Sequence, residues 1–100
     1  MKISILDKAE EDIDSAYLWY EFEQIGLGDT FYNNIRDGIN FIAQNPFTSR
    51  EIYKGIRRYV VRKFPYGIYY QVDFALSEVK IIGIVHFKRS SKIWKKRLKG

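Results

Sequence analysis

The sequence predicts an α+β domain of β-α-α-β-β-β order, with an N-terminal strand and a helical hairpin packed on an antiparallel sheet. Three observations point there. Apolar residues recur at helical spacing through the first 44 positions. They alternate with polar ones after residue 50. Glycine- or proline-containing breaks punctuate the chain between these segments.

Lys2 to Leu6 is short and β-branched, and reads as a strand. Asp7 is expected to cap the first helix, with Glu10 three residues on completing a capping box. Ala9, Ile13, Ala16, Tyr17 and Tyr20 define its buried face, and the helix should run to about Gln24. The Ile25-Gly26-Leu27-Gly28-Asp29 break starts a second helix, with Leu27, Phe31, Ile35, Ile39 and Ile42 on one stripe. Gly38 beside that stripe points to a close helix–helix approach, since glycine costs a helix interior roughly 1 kcal/mol. Asn45-Pro46 ends the helix, because the residue before proline avoids the α region.

Beyond a loop at 47–49, Ile52 and Tyr53 form a short strand and Arg57 to Phe64 the next. Pro65-Tyr66-Gly67 reads as a tight turn. Ile68 to Phe74 follows, with Ile68, Tyr70, Val72 and Phe74 expected on one face. Leu76-Ser77-Glu78 turns the chain into Val79 to Phe87, where Lys80, Ile82, Ile84 and His86 are expected to share a face. Successive strands should pair as an antiparallel meander. A length of 100 residues with no linker or repeat reads as one domain, residues 1–100.

Charge is polarised along the chain. Residues 1–50 hold 4 Lys/Arg against 9 Asp/Glu, and residues 51–100 hold 13 against 3. Such a chain is expected to present a basic surface to an anionic partner. With no cysteine there is no disulfide and no thiolate metal site. No 18-residue apolar run exists, so no membrane partner is expected, and a cytoplasmic location is. No cofactor or metal is expected, since the lone His86 has no partner at ligand spacing.

The chemistry-bearing candidates lie mostly in the second half. Arg57, Arg58, Arg62, Lys63, Lys88, Arg89, Lys92, Lys95, Lys96, Arg97 and Lys99 form the basic group, which can bind phosphate or an acidic protein segment. His86 can transfer a proton, although a packed histidine with a satisfied hydrogen bond is the plainer reading. Glu10, Glu11, Asp12 and Asp14 are read as helix capping and solvation. Trp94, set among basic residues, either covers the sheet or anchors a partner. Tyr59, Tyr66, Tyr69 and Tyr70 fit a half-buried sheet.

Taken together, Gly55-Ile56-Arg57-Arg58, Phe64-Pro65-Tyr66-Gly67-Ile68-Tyr69-Tyr70, His86-Phe87-Lys88-Arg89 and Trp94 form a pattern. With the aromatic-rich first helix, Gly26-Leu27-Gly28, Phe31 and Asn45-Pro46, it resembles the ParE branch of the RelE/ParE toxin superfamily. These are toxins of type II toxin–antitoxin modules, also called plasmid stabilisation proteins. The resemblance runs from about Ala9 to Arg97. It implies a growth-inhibiting cytoplasmic toxin that forms a hetero-oligomer with a cognate antitoxin and, in the ParE manner, inhibits DNA gyrase without catalysis of its own. Lys88, Arg89, Trp94, Lys95, Lys96 and Arg97 are the expected target-binding residues. Arg57, Arg58 and Arg62 are the expected antitoxin-binding residues.

Two alternatives stay open. A RelE-like enzyme would cut mRNA on the ribosome, with Arg57, Lys63 and Arg89 stabilising charge and His86 moving a proton. That branch usually carries a tyrosine near the chain end, and this chain has none after Tyr70. A non-toxic nucleic-acid-binding domain of the same fold is the other.

Overall fold

The computed structural model describes residues 1–89, 96 and 97. Element order is β1 (Lys2–Ile5), α1 (Asp7–Glu23), α2 (Leu27–Gln44), β2 (Glu51–Tyr53), β3 (Ile56–Val60), β4 (Tyr66–Asp73), β5 (Glu78–His86) and a 3-10 turn, η1 (Phe87–Arg89). The fold is therefore α+β, as the periodicities predict. The sheet runs β1-β5-β4-β3-β2. Its last four strands form the antiparallel meander, and β1 joins β5 in parallel.

The α1–α2 hairpin covers one face of the sheet. Ala9, Ile13 and Ala16 of α1 and Phe31, Ile35, Ile39 and Ile42 of α2 meet Ile68, Tyr70, Val79, Ile81 and Ile84 there. The close approach at Gly38 is by the sheet and not by the other helix: the Tyr59 ring and the Ile68 side chain sit where a Cβ would go, at 2.8 and 2.9 Å. A second, smaller cluster on the other face holds Ile56, Tyr69, Ile82 and Val85.

Several sequence expectations are corrected in detail. Leu6, not Asp7, occupies the N-cap of α1, and no side chain caps it. The Leu6 N–H donates to Ile81 O at 3.1 Å, so this single residue carries the chain from the sheet into the helix. The capping contact appears instead at α2. There the Glu21 carboxylate accepts from Gly26 and Gly28 N–H at 3.0 Å. Gly26 itself takes a left-handed φ of 91°.

β3 stops at Val60, because Lys63 takes a left-handed φ of 67° and turns the chain before Pro65. Tyr66 and Gly67 consequently belong to β4, opposite His86 and Val85. Phe74 lies beyond β4, exposed, with its ring stacked on Phe47 at 5.6 Å. A register shift between β4 and β5 leaves Ile82 without a partner, since Tyr69 faces Gly83 and Tyr70 faces Ile81. The parity of β5 flips there. Ile82 joins the outer cluster, while Ile84 joins the core and His86 contacts Tyr66.

Candidate functional site

The turn after β3 and the η1 turn after β5 are neighbours in space. Val61 N–H donates to Tyr66 O, and Phe87 N–H donates to Pro65 O, both at 3.0 Å. The turn is anchored from below by an aromatic cluster. Tyr20, Phe31, Phe64 and Tyr66 pack with ring centroids 4.9–6.2 Å apart, mostly edge to face. This brings Arg58, Arg62, Lys63, Lys88 and Arg89 to one end of the sheet. Among the described residues none of these five forms an ion pair. The Arg58 guanidinium lies 5.7 Å from the Phe87 ring centroid.

Beside this basic end lies a cavity of about 370 Å³ between α1 and the end of β5. Asp12, Trp19, Tyr66, His86, Arg89 and Arg97 are among its walls. Asp12, Ser15, Ala16 and Trp19 reach it because i, i+3, i+4 and i+7 share one face of a helix. His86 Nδ1 accepts the Lys88 N–H at 3.0 Å, so in the neutral ring the proton sits on Nε2. Burial pushes the Tyr66 phenol above its ordinary value, and the Arg89 guanidinium opposes that rise.

Asp12 and Arg97 form a forked ion pair, with Nη1 to Oδ2 at 2.6 Å and Nη2 to Oδ1 at 3.0 Å. Both are mostly buried, each side chain 18% exposed. β1 ends at Ile5, and the pair takes over the β5 edge from there. Asp12 Oδ2 accepts the Ile84 N–H at 3.0 Å, and Arg97 Nη1 donates to Ile82 O at 3.3 Å. Gly83 makes room for the guanidinium, since a Cβ there would lie 2.6 Å from Nη1.

The expected site residues therefore divide. Lys63, Lys88, Arg89 and His86 gather at the basic end with Arg58 and Arg62. Lys96 is exposed. Arg97, expected to face a target, instead holds Asp12, and Asp12 is a mostly covered ion-pair partner rather than a solvated cap. Trp94, Lys95, Lys92 and Lys99 lie outside the described residues.

Arg57 is elsewhere. Its Nη1 donates to Ser49 O at 2.8 Å and Phe47 O at 3.3 Å, and its guanidinium lies 5.3 Å from the Phe47 ring centroid. It pairs with Tyr70, four residues along β4 from the partner of His86, which is about 13 Å of strand. The four residues proposed for RNA cleavage thus do not converge. Trp19 and Tyr66 were not singled out from sequence as cavity residues. The readable signal was the i, i+3, i+4, i+7 spacing from Asp12 to Trp19.

Comparison with known proteins agrees with the fold. The chain resembles a structure described as "Chromosomal ParDE TA system from P. aeruginosa" at a TM-score of 0.64 and 18% identity, covering 86% of this chain and 95% of that one. A search of curated proteins returns no significant match. A family model described as the ParE toxin of the type II toxin–antitoxin system parDE matches residues 3–94. With that match spanning strand, hairpin and sheet alike, the chain belongs to the ParE toxin family.

Proposed function

We propose that this chain is the toxin of a type II toxin–antitoxin module, a cytoplasmic growth inhibitor that poisons DNA gyrase and is neutralised by a cognate antitoxin. The observation that carries the reading is the basic end of the sheet. Five cationic side chains stand there without carboxylate partners among the described residues, while Arg57 is tied to the 47–49 loop. That arrangement suits binding of an anionic macromolecular surface better than an assembled acid–base site. Lys88, Arg89 and Lys96 are the proposed target contacts, with Trp94 and Lys95. Arg58 and Arg62 are proposed for the antitoxin.

Inducing the chain alone in a bacterium carrying a DNA-damage reporter tests this. Growth arrest with the reporter on is the expected result. Arrest with the reporter silent and new mRNA ends overturns it in favour of a RelE-like endonuclease. No arrest, with salt-dependent nucleic-acid binding retained, marks a non-toxic binding domain.

A further inference from the structure

The Asp12–Arg97 pair sits in a seat made for it. Gly83 leaves the space that the guanidinium fills, and Ile82 O accepts from Nη1 at 3.3 Å. Asp12 Oδ2 is fixed in turn by the Ile84 N–H at 3.0 Å. Stability alone is a poor reason for this arrangement. A glycine inside a strand packs nothing and weakens the strand. A mostly covered ion pair adds little over an apolar pair of similar size. What the fork does supply is direction, because two parallel hydrogen bonds leave the guanidinium one orientation.

That direction places the residue next to Arg97 in sequence. Arg97 walls two hollows. One is the cavity that His86 and Arg89 line. The other, about 380 Å³, lies at the start of α1 among Leu6, Asp7, Lys8 and Lys96. Arg89 therefore stands on one side of the pair and the exposed Lys96 on the other. Both are proposed target contacts. The hydrogen bonds that tie residues 96–97 to the other described residues all come from the Arg97 guanidinium.

We infer that Asp12 is a positioning residue for target recognition: by seating Arg97 it holds Lys96 at a set spacing from Arg89 before the target arrives. Asp12 acts through Arg97 and touches no target itself. A cation already in place need not be ordered at the moment of binding, so the pair lowers the cost of association. The inference rests on the proposed reading that Arg89 and Lys96 meet the target. It does not depend on that target being gyrase.

The test joins a physical and a cellular readout on the full chain. In ¹⁵N relaxation, the Lys96 amide of the unaltered chain should show an order parameter of about 0.85, and Asp12→Asn should lower it below about 0.6. In cells, the toxin level that halves the growth rate, read by quantitative blotting, should rise about tenfold for Asp12→Asn. Arg97→Gln should match it, and the double variant should be no worse than either. Gly38→Ala, which loses stability in α2, should leave that level unchanged. The inference falls if Lys96 is equally ordered with and without Asp12, or if Asp12→Asn arrests growth at the parental level. It falls too if Gly38→Ala raises the level as far, since stability alone would then account for the effect. A double variant that multiplies the two single effects also overturns it, because Arg97 would then meet the target itself. A parent chain that arrests growth with the DNA-damage reporter silent, and is still relieved by Asp12→Asn, loses gyrase and keeps the positioning. A parent that turns the reporter on and is matched by Asp12→Asn keeps gyrase and loses the positioning.

Discussion

Asp12 illustrates how one carboxylate can hold three elements. It sits on α1, grips Arg97 near the chain end and accepts from a β5 amide. Removing one partner of a mostly buried pair leaves the other charge poorly solvated, so Asp12→Ala should cost about 2–4 kcal/mol of stability. Asp12→Asn should cost less, because its side-chain oxygen can still accept from Ile84. Urea unfolding reads both as lower midpoints at unchanged slope, and equal midpoints for the two would contradict this account. Gly83→Ala is expected to act through the same contact, since its Cβ would collide with the Arg97 guanidinium. Its effect should therefore not add to that of Arg97→Ala in a double-mutant cycle.

At the scale of elements, the packing of α2 on the sheet depends on an approach that glycine permits. Gly38→Ala gains up to about 1 kcal/mol of helix propensity. It also drives a methyl into Tyr59 and Ile68, an overpacking that costs roughly 1–3 kcal/mol. A net fall in melting temperature is expected in calorimetry, and a rise would show that α2 can shift away from the sheet. Glu21 serves the helix after its own, capping α2 from within α1. Glu21→Ala should destabilise by about 1 kcal/mol. Hydrogen exchange should locate the loss at Gly28 and Thr30 rather than in α1. The bulge at Ile82 is the element-scale feature with the largest consequence. It redirects the end of β5 so that His86 meets Tyr66 on the side of the sheet where the hairpin packs.

For the whole molecule, the charge polarity becomes a spatial one. The described carboxylates that take part in contacts are already answered. Asp12 is held by Arg97, Asp73 by Lys80, and Glu21 by the start of α2. The basic end has no such answer among the described residues. Neutralising Arg62, Lys63 and Lys88 together to glutamine should leave stability nearly unchanged, because exposed substitutions usually shift it by no more than about 0.5 kcal/mol each. Growth arrest on induction should weaken, and the antitoxin complex should lose part of its salt dependence. Full toxicity in that triple variant, with melting unchanged, would move the target surface elsewhere on the chain. No described helix is long and apolar enough to cross a membrane.

The order of strands and helices was legible in the sequence because it follows from local periodicity. The stripe from Leu27 to Ile42, the Asn45-Pro46 stop and the alternation after residue 50 each express a preference of a few neighbouring residues. The resemblance to ParE toxins was legible for a related reason, since its short patterns sit at the turns and strand ends that those preferences define. Contacts between distant residues were not legible. Asp12 and Arg97 are 85 positions apart, and nothing near either one signals the other. Arg57 looks like its basic neighbours until the 47–49 loop folds onto it. The parity of β5 depended on a bulge, which arises from how two strands pair rather than from the residues of either alone. Local chemistry thus determined the elements and the sign of the surface. Tertiary structure decided which described cations form ion pairs and which do not among the described residues, because that is settled only when distant segments compete for the same groups.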